Sequence, residues 1–129
     1  MNFLDTSVLV AVLLAKHPHH PASLQLLNAE DSVTDTHCLA EAFAVLTAAY
    51  KLRPADTAAL ILDRPSAIAC PVLAEDYRSC LLNPSGLQGG GIYDALHAAV
   101  ARRLGAKIIF TSNVRNFSHH APDLNVQAP

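Results

Sequence analysis

The chain predicts an α/β domain built on a parallel sheet, and three observations carry that prediction. Its candidate strands, at Asn2 to Asp5 and Lys107 to Thr111, are short and too apolar to keep a wet face, as expected of strands covered on both sides. Between them run segments with helical spacing of apolar residues, of which His37 to Leu52 is the clearest. Near the end a helix stops at Gly105 and a buried strand follows at once, a helix-to-strand unit with glycine at the expected C-terminal position. Strands alternating with helices imply a parallel sheet covered on both faces, whose ligands gather beyond the carboxyl ends of the strands.

Taken in order, Thr6 to Ala15 follows the first strand as a helix rich in Val, Leu and Ala, with Thr6 or Ser7 available to cap it. His17 to Pro21 is a breaker, and Ala22 to Ala29 a second short helix. Ser32 and Val33 lead into a brief strand. In His37 to Leu52, Leu39, Phe43, Leu46 and Tyr50 form one stripe and Cys38, Ala42, Val45 and Ala49 the next. Pro54 to Leu62 reads as a helix, Ala67 to Leu73 as a strand in which Pro71 fits an end or an edge, and Glu75 to Leu82 as a helix. The long helix Ile92 to Leu104 follows three glycines, and Asn125 to Gln127 is a candidate edge strand.

Composition narrows the function. The 129 residues suit one domain, and 51% hydrophobic content gives a sizeable core and excludes disorder. With 9 basic against 11 acidic side chains, nucleic-acid contact requires a local basic patch rather than a basic surface. Cys38, Cys70 and Cys80 are odd in number and form no C-x-x-C pair, which argues for reduced thiols. The apolar run Val8 to Ala15 follows Asp5 rather than a basic residue, unlike a signal peptide, and no stretch is long enough to span a membrane, so a cytoplasmic protein is expected.

Three carboxylates occupy positions where neighbouring residues predict buried or junction structure. Asp5 interrupts the apolar opening MNFLDTSVLV at the carboxyl end of a strand, where it reads equally as a helix cap and as a ligand, roles that can coexist. Glu41 shares its helix side with Cys38, Val45 and Ala48, so it either meets a cation or reaches solvent along its own methylenes. Asp94 lies in the first turn of a helix, where the dipole alone favours an acid. Their conjunction points to a hard-oxygen site for Mg2+ or Mn2+. His17, His19, His20, His119 and His120 lack paired zinc-ligand spacing, His97 reads as packed or supporting, and the glycines at 89 to 91 match no phosphate loop.

LDTSVLV, Glu41 within a helix, and the block GIYDALHAAVARRLGAKIIFTSNVRNF together resemble PIN-domain nucleases, most closely the VapC-type toxins of bacterial toxin–antitoxin modules. The resemblance implies a three-layer α/β/α domain over residues 1–129 and an endoribonuclease whose Mg2+ or Mn2+ is held by Asp5, Glu41 and Asp94. It places Thr6 and Ser112 near the metal as supporting groups. At the fourth acidic position this chain has Asn113, and Asn116 is not acidic either, so the site has one charge fewer and a second metal ion is in doubt. Asp5→Asn and Asp94→Asn are expected to abolish cleavage with the fold intact or steadier, and Asn113→Asp to improve weak metal binding. Arg115, Lys51, Arg53, Arg102 and Arg103 are the candidate RNA contacts. The expected partners are RNA, an antitoxin whose tail fills the acidic crevice with Arg or Lys, and a second copy held through the apolar helices Thr6 to Ala15 and His37 to Leu52. The competing reading is a non-catalytic PIN-like module that binds RNA or a protein. An aspartyl-phosphate phosphatase is excluded because Ser7 stands where a second Asp is needed.

Overall fold

The computed structural model describes residues 1–129. A five-stranded, wholly parallel sheet runs in the order β3-β2-β1-β4-β5, from β1 (Asn2–Leu4), β2 (Ser32–Asp35), β3 (Ala69–Cys70), β4 (Ile108–Phe110) and β5 (Val126–Gln127). β1 is central, with Phe3 opposite Val33 on one side and Ile109 on the other. That position explains why Phe3 and Leu4 are fully buried and why this strand shows no polar alternation.

Seven helices cover the sheet: α1 (Thr6–Leu13), α2 (His20–Asn28), α3 (Thr36–Ala48), α4 (Pro54–Asp63), α5 (Ala74–Leu81), α6 (Gly91–Leu104) and α7 (Val114–His120). α1 packs against α2 and α3, and α3 against α4; α6 packs against α5 and α7. This is the three-layer α/β/α arrangement expected. No helix is long and apolar enough to cross a membrane.

Several boundaries differ from the expected ones for identifiable reasons. α1 stops at Leu13, and α2 starts at His20 with Pro21 in its first turn, where the missing N–H costs nothing. α3 ends at Ala48, shortly before Lys51 turns into the left-handed region at φ 57°. β3 shrinks to two residues because Pro65–Ile68 winds into a 3-10 turn and Pro71 cannot donate to the ladder. α7 was not expected at all: of its seven residues only Phe117 is buried, so there is no apolar period to announce it.

The fold narrows two expectations for the surface. α1 buries Val8 to Val12 in the core and leaves Leu13, Leu14 and Ala15 partly or fully exposed at its end, while α3 exposes Ala40, Ala44, Val45 and Ala48, with Tyr50 just beyond it. Three of the five candidate RNA-gripping cations are already engaged. Arg103 bonds both Asp76 oxygens at 2.9 Å and the Pro71 carbonyl at 2.9 Å, while Asp76 also accepts from Leu73 N–H, so one guanidinium ties α6 to α5 and the end of β3. Arg102 pairs with Asp123, and Arg53 with Asp56. Lys51 and Arg115 remain exposed and uncommitted.

Candidate active site

Neighbouring strands β1 and β2 end in the same way, each with an aspartate that caps the next helix, followed by a threonine. Asp5 holds an extended backbone and accepts from Ser7 N–H, with Ser7 Oγ at 2.9 Å and Thr111 Oγ1 at 2.8 Å donating to the same Oδ2. The hydroxyls are themselves anchored: Ser112 N–H donates to Ser7 Oγ at 2.9 Å, and Asn113 N–H donates to Thr111 Oγ1 at 3.1 Å. Asp5 therefore caps α1 and also faces the cleft at the strand ends. The hydroxyl pair fixes the loop after β4 to the end of β1 and leaves Asp5 Oδ1 free of these bonds. Thr111→Val should destabilise the fold by about 1–3 kcal/mol, because a charge-assisted bond and the acceptor for Asn113 N–H are lost together; chemical denaturation measures it. Asp5→Asn, expected from sequence to leave the fold intact or steadier, should instead cost stability, since its carboxylate oxygen accepts from three donors.

Asp35 caps α3 through Cys38 N–H at 2.8 Å and points its other oxygen at His97 Nδ1, 2.7 Å away. His97 Nε2 reaches Glu41 Oε1 at 2.6 Å. An imidazole with a carboxylate on each nitrogen is held as the imidazolium. Burial opposes its charge, but Cys38 and the hydrogen bonds to Asp35 and Glu41 carry the His97 pKa well above the usual histidine value. Burial likewise opposes the Asp35 carboxylate, and His97 outweighs it, leaving the Asp35 pKa lowered. Cys38 Sγ lies 3.4 and 3.7 Å from the two ring nitrogens, near enough to equidistant to place it over the ring rather than along either N–H. Burial pushes its thiol pKa up.

Glu41 is thus a partly exposed residue at the edge of the stripe, and not a buried acid waiting only for a cation. It sits where the α3 stripe leaves the core, with Cys38 buried and Val45 and Ala48 exposed, and an internal cation already fixes one of its oxygens. His37 Nε2 lies 3.5 Å from that same oxygen, and the His37 ring stacks on Tyr93.

Asp5, Glu41 and Asp94 line one cleft of about 340 Å3 together with Thr6, Ser112 and Asn113. The Asp94 carboxyl titrates above its usual value, first because it is partly buried and then because Asp5 and, more weakly, Glu41 repel its charge. Thr6 Oγ1 is buried without a hydrogen-bond partner. An excess of carboxylate oxygens, a destabilised anion and an orphaned hydroxyl around one cavity fit a hard divalent cation. Asp5, Cys38 and His97 also bring ligand atoms within 4.8 Å of one another, but both His97 nitrogens are spent on carboxylates. Asn116 lies outside the acidic cleft, on the wall of the neighbouring one, and Arg115 is exposed beside it on α7.

The PIN domain family profile matches residues 3–121. The chain belongs to the PIN-domain family. This PIN domain is 32% identical over 110 residues, 81% of either chain, to the Ribonuclease VapC40 of Mycobacterium tuberculosis, strains CDC 1551 / Oshkosh and H37Rv. Its fold matches the crystal structure of Mycobacterium tuberculosis VapC20, described as a sarcin-ricin loop cleaving toxin, with a TM-score of 0.73 at 23% identity over the whole of both chains. It also matches FitAcB from Neisseria gonorrhoeae, with a TM-score of 0.68 at 20% identity over 98% of this PIN domain and 96% of that chain.

Two residues that hold this PIN-domain site together escaped the sequence reading, Asp35 and Thr111. For Asp35 a signal existed: Asp35-Thr36 repeats the Asp5-Thr6 pattern at the end of a candidate strand. Thr111 carries no local mark, because its role depends on β4 lying beside β1.

Proposed function

We propose that this chain is an endoribonuclease, the toxin of a toxin–antitoxin pair, which hydrolyses RNA phosphodiester bonds with Mg2+ or Mn2+ held by Asp5, Asp94 and Glu41. The observation that carries the reading is the convergence of these three carboxylates on one cleft. Similarity to a VapC ribonuclease supports it.

When bound, a divalent cation supplies Lewis-acid polarisation of the phosphodiester and makes water easier to deprotonate. The chain's own residues do the rest. Asp5 offers Oδ1 while Oδ2 stays on Ser7 and Thr111, and Glu41 offers Oε2 while His97 holds Oε1. With a cation held, the Asp94 carboxylate would orient water for in-line attack, to leave a 5′-phosphate. Ser112, exposed on the cleft wall, donates to oxygens of the substrate, while the buried Thr6 Oγ1 supports the residues that hold the cation. Arg115 and Lys51, uncommitted within the chain, meet flanking phosphates, so binding weakens with salt. The antitoxin inserts an Arg or Lys into the same cleft, where three acids face one internal imidazolium. The protein acts in the cytoplasm, as a homodimer through exposed apolar residues such as Val45 and Tyr50.

Incubating the partner-free protein with total RNA and with defined transfer and ribosomal RNAs, in Mn2+, Mg2+ or chelator, tests this directly beside Asp5→Asn. Discrete cuts that need metal and vanish in the variant are expected. RNA binding that ignores chelator, with no cuts, would instead establish the non-catalytic module. Asn113→Asp adds a fourth carboxylate to the cleft and should tighten Mn2+ binding roughly tenfold while lowering the melting temperature of the metal-free protein. Titration calorimetry showing no gain would remove Asn113 from the set of residues that tune the metal.

A further inference from the structure

The acidic cleft continues past Asp94. Across Asp94 and Asn113 it meets a second cleft of about 530 Å3 with no hydrophobic residue on its wall. Gln88, Asn113, Asn116, His119 and His120 line it, and their side chains make no hydrogen bond within the chain. Asp94, at the junction, is the only acid there. The two clefts are therefore chemically opposite: one concentrates carboxylates, and the other concentrates uncommitted amide and imidazole donors.

Gly91 gives the second cleft a specific geometry. Gly86, Gly89 and Gly105 have positive φ, which explains them as glycines; Gly91 does not, and it opens α6, where glycine is a poor helix former. A Cβ built at Gly91 would meet His120 Cε1 at 3.0 Å and Nε2 at 3.1 Å. The imidazole of His120 occupies the space that a side chain at 91 would fill, and His119 sits edge-on to it with ring centroids 5.2 Å apart.

We propose that this second cleft binds the sugar-phosphate backbone of RNA on one side of the bond to be cut, with His120 as its principal donor and Gly91 making room for it. The inference rests on the nuclease reading above for its substrate and adds where the strand runs. Amides and imidazoles suit phosphate and ribose hydroxyl oxygens, contacts that position a strand without reading its sequence. A strand lying across the junction places one phosphate on the acidic cluster and its neighbour among the donors.

The test titrates labelled single-stranded RNA against the full chain in chelator by fluorescence anisotropy, and measures steady-state cleavage in Mn2+. His120→Ala should raise Kd about five- to tenfold, the loss of one ordinary hydrogen bond, and raise KM by the same factor with kcat unchanged. Gly91→Ala should weaken binding similarly, and adding it to His120→Ala should weaken nothing further, because the new methyl then has no ring to displace. His120→Arg should restore most of the affinity, which a merely structural role would not allow. Unchanged Kd and KM in His120→Ala, with wild-type cleavage intact, would overturn the cleft assignment and leave the nuclease reading standing. Binding that depends on His120 without any cleavage by the wild type would keep the cleft and remove the nuclease reading. Additive losses in the double variant would overturn the role given to Gly91.

Discussion

Asp94→Asn is expected to lower RNA cleavage by at least about 100-fold, since even outer partners of metal ligands cost about 10–100-fold and Asp94 is proposed as a ligand itself. The same change should leave the melting temperature equal or higher. Its sign follows from titration: burial, then repulsion by Asp5, raises the Asp94 pKa in the folded chain, so the charged form is penalised and its stability debit appears as pH rises through the usual carboxylate range. Asparagine carries no such penalty. Cleavage assays and thermal melts on one preparation separate the two effects. Metal-dependent cleavage at the wild-type rate would remove Asp94 from the site, and a large drop in melting temperature would show that it holds the fold.

His97→Leu should be the most destabilising substitution in the site, costing about 3–5 kcal/mol and roughly 10–20 °C in melting temperature, because it strands the fully buried Asp35 without its counter-ion. Adding Asp35→Leu should recover part of that loss, since an apolar pair is cheaper to bury than an orphaned charge. A double variant as unstable as the sum of both singles would show that the ion pair is not the cause. The pH profile gives a second check. Despite burial, His97 lowers the Asp35 pKa below its usual 3.8, so this contribution to stability is present above that value and is lost as pH falls through the folded one. His97→Leu should lack that acid limb. Cleavage should fall as well, because Glu41 loses the group that orients it.

The parts of the fold legible from sequence were those set by local composition. β1 and β4 announce themselves as apolar runs, α3 by its stripe, and the end of α6 by Gly105, whose φ of 71° is the conformation glycine supplies cheaply. α7 was illegible because one buried phenylalanine makes no period, and β3 because the 3-10 turn before it shares its apolar composition. The acidic residues could be seen singly, yet what joins them could not. Glu41 finds His97 56 positions later, and Asp5 finds Thr111 106 positions later, contacts that exist only once the sheet is assembled. For the same reason, Arg103 looked available for RNA and is instead a brace between α6 and α5, and Arg102 is tied to Asp123 beyond α7.

The strand order has a consequence for how the protein is made. β1 and β2 leave the ribosome early and can pair, but the strand on the other side of β1 is built from residues 108–110, and Asp94 and Thr111 are supplied only by the last third of the chain. At cellular elongation rates of about 5–20 residues per second, Asp5 precedes Asp94 by about 5–20 s. A nascent chain therefore carries an unfinished cluster throughout most of its synthesis. The acidic cleft is therefore assembled only after residues 94 and 111 have both been made.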